Sequence, residues 1–180
     1  QPAPAGRTLS QSPLTWQGEL TPSQAEIAQK LVETWRGQER RPQLVWAVTG
    51  AGKTELVFPL LERALMDGGR VCLASPRIDV CLELAPRLKA AFAGLDCQVL
   101  YGGSRDRYEL KPLTLATTHQ LLRAYQAFDC LIVDEVDAFP YVDSRALHEA
   151  VRRALKPGGL LVYLTATPDD RLLSDWEAGR

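Results

Sequence analysis

Ala47-Val48-Thr49-Gly50-Ala51-Gly52-Lys53-Thr54 closes the apolar run 44–48 and opens a helical pattern over residues 53–67. A strand, a glycine-bearing loop and a helix start in that order make an anion site. Gly50 and Gly52, flanking Ala51, let the backbone curl so that successive N–H groups face one centre. The helix that follows adds its positive end. Lys53 can reach β- and γ-phosphates, and the Thr54 hydroxyl is placed to ligate Mg²⁺. The octapeptide is a Walker A pattern with Ala47 where the first Gly usually stands. A glycine-rich turn with an incidental Lys is the other reading, and the strand–loop–helix context argues against it. ATP with Mg²⁺ is the expected cofactor.

Downstream, the apolar run 130–133 ends in Asp134-Glu135-Val136-Asp137. A carboxylate at a strand tip beside a phosphate loop can hold hydrated Mg²⁺, which suits Asp134. Glu135 can polarise the attacking water as general base, and Asp137 suits a contact to a neighbouring loop. By itself an acidic tetrapeptide reads as a solvated turn. A phosphate loop two strand–helix units upstream changes that reading.

A third strand end, Leu164-Thr165-Ala166-Thr167-Pro168, resembles helicase motif III, whose hydroxyls bond the acidic box and relay nucleotide state. Taken alone it is a strand end with Thr167 capping before Pro168. Three further strand ends offer contacts to single-stranded DNA. They are Ser75 and Arg77 in Ala74-Ser75-Pro76-Arg77, Gly103 in Tyr101-Gly102-Gly103-Ser104, and Thr118 and His119 in Thr117-Thr118-His119-Gln120. Turn and cap chemistry explains each of these stretches equally well when taken singly. A solvated loop likewise explains the basic run Arg105, Arg107 and Lys111. His119 and His148 lack partners at metal spacing and read as surface or capping residues.

Around these motifs, short apolar runs at 44–48, 71–74, 98–101, 114–117, 130–133 and 160–165 alternate with helical patterns near 53–67, 78–93, 118–126, 143–155 and 169–177. Runs apolar on both faces that alternate with helices predict an α/β fold. Its mostly parallel central sheet is covered by helices on both faces, with ligands at the strands' carboxyl ends. Gly68-Gly69 and Pro157-Gly158-Gly159 mark turns from helix to strand. Thr21-Pro22-Ser23-Gln24 forms a capping box ahead of Ile27, Leu31 and Trp35 at helical spacing, and Arg40-Arg41-Pro42 ends that unit. Residues 1–14 read as a flexible tail and 15–180 as one domain. Trp35 and Trp46 are expected in the core. Trp16 either clasps the tail onto the domain or packs beside an adenine ring.

The totals agree with one globular domain: 180 residues, 46% hydrophobic and 24% charged. A net charge of −1 gives no general field for capturing nucleic acid, so any such contact must be local. No apolar run is long enough for an integral membrane segment. The start, Gln1-Pro2-Ala3-Pro4, has neither Met nor a signal core and reads as part of a longer protein. Cys72, Cys81, Cys97 and Cys130 form no CxxC pair, which argues against structural zinc and for reduced, mostly buried thiols in a cytosolic protein.

From about residue 16 to 168 this motif order is similar to the first RecA-like P-loop NTPase domain of superfamily 2 DNA helicases. Within that group, three stretches resemble the ComFA family of late competence ATPases. They are Asp134-Glu135-Val136-Asp137-Ala138-Phe139-Pro140-Tyr141, Trp16-x-Gly18-x-Leu20-Thr21 with Gln24 following, and Ala74-Ser75-Pro76-Arg77-Ile78-Asp79-Val80. The resemblance implies a DNA-dependent ATPase, cytoplasmic and peripheral at the inner face of the membrane. Such an enzyme draws single-stranded DNA into Gram-positive cells with competence DNA-uptake proteins as partners. It also implies that Gln24 reads adenine. A four-cysteine zinc module and a second RecA-like domain with an arginine finger are further family features, and these 180 residues do not contain them. The competing readings are a PriA-like or restriction-type translocase and a nucleotide-binding interaction module without motor action. A P-loop kinase would leave the acidic box, the motif III stretch and the DNA-side loops without a role.

Overall fold

The structure, a computed structural model, describes residues 8–9, 11–46, 54–102, 111–134 and 144–165. Its first helix, α1 (Pro22–Arg36), starts on the expected capping box. Gln24 N–H donates to Thr21 Oγ1 at 3.2 Å and Thr21 N–H donates to Gln24 Oε1 at 2.9 Å. Ala28, Leu31 and Trp35 form its buried stripe.

β1 (Gln43–Trp46) follows, then a 3₁₀ turn (Glu55–Val57) that runs into α2 (Phe58–Met66). Next come β2 (Val71–Ser75), α3 (Ile78–Ala91), β3 (Cys97–Leu100) and β4 (Leu113–Thr117). A second 3₁₀ segment (Thr118–Arg123), β5 (Phe128–Val133), α4 (Arg145–Ala154) and β6 (Leu155–Thr165) complete the order.

All six strands are parallel, in the order β1-β6-β5-β2-β4-β3. Strand alternation splits the core into two layers. Val71, Leu73, Cys130, Ile132, Leu160, Val162 and Leu164 face α1, α2 and α3. Cys72, Ala74, Leu131, Val133 and Leu161 face α4 and the second 3₁₀ segment. The expected α/β sheet with helices on both faces is therefore present. Phe58, Leu60, Leu61 and Leu65 of α2 are buried, each contributing about 1.5–3 kcal/mol relative to exposure. That anchors to the sheet the helix that follows residues 47–53 in the chain.

Several details differ from the sequence reading. The pattern at 118–126 forms a 3₁₀ segment, because Ala124 is already extended and Gln126 sits at φ 41°. Pro157-Gly158-Gly159 is an excursion inside β6, between the Phe128–Leu155 and Cys130–Leu160 pairs, with Gly158 at φ 77°. Trp46, expected in the core, is 63% exposed. It ends an edge strand, and the pleat that buries Val45 against α1 and α2 turns Trp46 to the opposite face. The docked chain also begins earlier than residue 15, since Leu9 N–H donates to Met66 O at 3.0 Å and Leu14 packs on the core.

Trp35 ties α1 to the end of α2. Its indole N–H donates to Asp67 Oδ2 at 2.8 Å, and the Arg40 guanidinium lies 3.8 Å over its ring. Gly68 at φ 83° completes the stop of α2. Gly69 N–H donates to Ala64 O and Gly68 N–H to Leu65 O, a Schellman cap. The Arg63 guanidinium bonded to Asp67, with help from the Trp35 indole, holds the Asp67 carboxyl below its ordinary value of 3.8. A depressed carboxyl stabilises the fold fully above its unfolded value and loses that contribution as pH falls through the folded one. Asp67→Asn is therefore expected to lower Tm near neutrality and to flatten the fall of Tm below pH 3.8. Thermal melts across the acid range check this, and an acid slope as steep as wild type would refute it.

Candidate functional site

A parallel sheet brings every strand's carboxyl end to one edge. The register sets how closely those ends align. Trp46 pairs with Thr165, Tyr163 with Val133, Val133 with Ala74, and Ser75 with Thr117. β1 and β5 flank β6, so the ends of the phosphate-loop strand and the acidic-box strand are roughly 9–10 Å apart at ordinary strand spacing. The end of β6, which carries Thr165, lies between them.

Thr54 is 9% exposed and leads the turn into α2, its carbonyl accepting from Val57 N–H at 3.2 Å. Asp134 is 3% exposed, and its N–H donates to Ala74 O at 2.7 Å, which fixes the backbone just past β5. Thr165 is fully buried, and its hydroxyl has no hydrogen-bond partner among the described residues. Gln24 is half-buried at the start of α1, its Oε1 engaged by the capping box. Its amide N–H₂ makes no hydrogen bond among the described residues. Trp16 packs edge-on against Phe58 with ring centroids 5.4 Å apart, so it clasps the N-terminal segment to α2.

The strand ends expected to face DNA divide by exposure. Ser75 is fully buried and its Oγ accepts from Arg77 N–H at 3.4 Å, whereas Arg77 is exposed and pairs with Asp79 at 2.7 Å. Thr118 is fully buried with a hydroxyl unpartnered among the described residues, and the adjacent His119 is exposed. Of the four side chains, only those of Arg77 and His119 reach the surface of these two turns. Gly50, Ala51, Gly52, Lys53, Gly103, Glu135, Asp137 and Thr167 lie outside the described residues. Cys72, Cys81 and Cys130 are buried. Burial pushes the Cys72 thiol up and that of Cys130 to about 12, so both stay neutral and inert near pH 7.

The sequence family described as DEAD/DEAH box helicase matches residues 21–175. The chain belongs to the DEAD/DEAH box helicase family. Its sequence is of the ComFA type. It is 55% identical to competence protein ComFA of Bacillus subtilis (strain 168), over 88% of this chain and 34% of the relative. It is 50% identical to competence protein ComFA of Streptococcus pneumoniae (strain ATCC BAA-255 / R6), over 90% of this chain and 37% of the relative. The chain thus spans about a third of the length of these curated relatives. Among solved structures, the Sulfolobus solfataricus SWI2/SNF2 ATPase core in complex with dsDNA superposes with a TM-score of 0.68 at 18% identity. That match covers 88% of this chain and 34% of the other, and shows the shared RecA-like fold.

This DEAD/DEAH box domain is a helicase-type, nucleotide-binding unit. One of its contacts had no signal in the sequence. Glu55, next to Thr54, is ion-paired with Arg87 of α3. Neither residue lies in a recognisable motif, and only the packing of α3 beside the start of α2 brings them together.

Proposed function

We propose that this domain is the ATP-binding half of a two-domain motor that moves single-stranded DNA during natural transformation. The observation that carries the reading is the shared edge: Trp46, Thr165 and Asp134 stand at or just past the carboxyl ends of the neighbouring parallel strands β1, β6 and β5, and Thr54 follows β1 in the chain at the turn into α2. The residues present fit Mg²⁺–ATP. Asp134 supplies a nearly buried carboxylate at a strand tip, and Thr54 a nearly buried hydroxyl at the helix start. Mg²⁺ would supply charge neutralisation at the β- and γ-phosphates.

Lys53 and the N–H groups of Gly50, Ala51 and Gly52 would grip the phosphates, while Thr54 and Asp134 would hold the metal. Glu135 orients the attacking water and takes its proton. Gln24 uses its unengaged amide N–H₂ and the second lone pair of Oε1 to read adenine. Thr165, Thr167 and Asp137 relay the state of the site. A buried hydroxyl without a partner costs about 1–3 kcal/mol, so the orphaned Thr165 Oγ1 supports a role as a switching contact.

Arg77 and His119 contact DNA phosphates, with Gly103 backbone beside them, and Ser75 and Thr118 hold the two turns in shape. Among the described residues no helix is long and apolar enough to cross a membrane. We place the motor in the cytoplasm, against DNA-uptake proteins at the membrane's inner face. The names and identities of the ComFA relatives favour this reading over a PriA-like or restriction-type translocase.

The test is ATPase activity of the full-length protein with and without single-stranded DNA. Stimulation by the strand, weakening as salt rises because phosphate contacts release counterions, is the expected result. A rate indifferent to DNA would leave only the nucleotide-binding module.

A further inference from the structure

Glu55 directly follows Thr54, and its side chain is 17% exposed. One carboxylate oxygen is ion-paired with Arg87, while the other is enclosed without a partner among the described residues. A carboxylate enclosed to this degree is costly unless its cation stays with it. Wherever Glu55 moves, Arg87 is drawn along.

Arg87 belongs to α3, which buries Cys81, Leu84, Leu88 and Ala91 and has Arg77 at its N-cap position. Immediately before Arg87 stands Pro86, which removes one hydrogen bond from the helix and lets it bend there. One turn beyond Glu55, Phe58 sits edge-on between Trp16 and Phe92, with centroids 5.4 and 5.9 Å away. The start of α2 and the second half of α3 are therefore joined twice. The aromatic joint is buried and fixed, and the ionic joint is polar and adjustable.

We propose that Glu55 and Arg87 are positioning residues, a strut through which the occupancy of the nucleotide site sets the angle of α3 and hence the position of Arg77. This rests on the ATP-and-DNA reading above. A shift of Thr54 carries Glu55, Glu55 pulls Arg87, and α3 pivots on the Phe58–Phe92 contact with its bend at Pro86. The lever from Arg87 to Arg77 is about 15 Å at 1.5 Å per residue, enough to turn a small displacement into gain or loss of a phosphate contact.

The experiment uses the full-length protein and measures kcat and KM for ATP with and without single-stranded DNA. Arg87→Gln is expected to keep basal kcat and KM for ATP at wild-type values, with Tm lowered because the enclosed Glu55 carboxylate loses its cation. Its stimulation by DNA is expected to fall about fivefold or more, the lower end of ordinary coupling between sites. Arg87→Lys should restore stimulation, and Glu55→Gln combined with Arg87→Gln should lose no more than either alone. Full stimulation in Arg87→Gln would overturn the proposal. So would a loss that merely tracks a fall in basal rate, or one that disappears in the double variant, where the unpaired charge is gone and Tm recovers, since either marks a structural contact. A wild-type enzyme that ignores DNA would instead remove the underlying motor reading, and the strut with it.

Discussion

Glu135→Gln in the full-length protein is expected to lower kcat for ATP hydrolysis by about 10²–10⁴-fold, the contribution of a positioned general base. At 1.36 kcal/mol per decade that is about 3–5 kcal/mol of transition-state stabilisation. Nucleotide binding should survive, because the amide keeps the size of the carboxylate and the phosphates are gripped by other groups. Lys53→Ala should also abolish hydrolysis, but by a different route. It removes the cation on the β- and γ-phosphates, so binding of ATP weakens along with the rate. The division follows from the sheet. Asp134 is fixed by its N–H to Ala74 O one position before Glu135, on a strand separated from the phosphate-loop strand by β6 alone. Steady-state kinetics with fluorescent-nucleotide titration check both. A Glu135→Gln enzyme with wild-type kcat would mean that another group takes the proton.

The two halves of the site differ in how they are encoded. The positions of Thr54, at the start of a helical turn, and Asp134, directly past an apolar strand, were legible because each depends on a local pattern, while their roles are the ones proposed above. Every residue of β2 and β4 is buried, so those strands read as continuous apolar runs. Trp46 was misplaced because its exposure depends on β1 lying at the sheet edge, and strand order leaves no trace in local periodicity. β6 starts ahead of its expected first residue because Pro157-Gly158-Gly159 has turn chemistry, whereas parallel pairing resumes on both sides of it. At the turn after β2, Ser75 and Arg77 were grouped by sequence proximity, and the bend at Pro76 sends one inward and the other outward. Glu55 and Arg87 lie 32 positions apart, so nothing in local spacing relates them.

The 180-residue chain by itself should hydrolyse ATP about 10³–10⁵-fold more slowly than a polypeptide in which a second RecA-like domain supplies an arginine finger. The reason is geometric. The proposed site lies at the carboxyl edge of a single sheet, and its one proposed cation, Lys53, belongs to the phosphate-loop segment. Charge developing on the transferred phosphoryl group needs a cation from the opposite side, and water fills that side when no second domain closes over it. Removing that water is also what makes the fixed charges effective. Binding depends on residues already within this chain and should suffer less than kcat. ATPase assays on the 180-residue chain and on the longer polypeptide, at matched nucleotide saturation, measure the ratio. Equal rates would show that the finger is dispensable or lies within these residues. In that case the exposed arginines near the strand ends, Arg77 first, would be the groups to substitute.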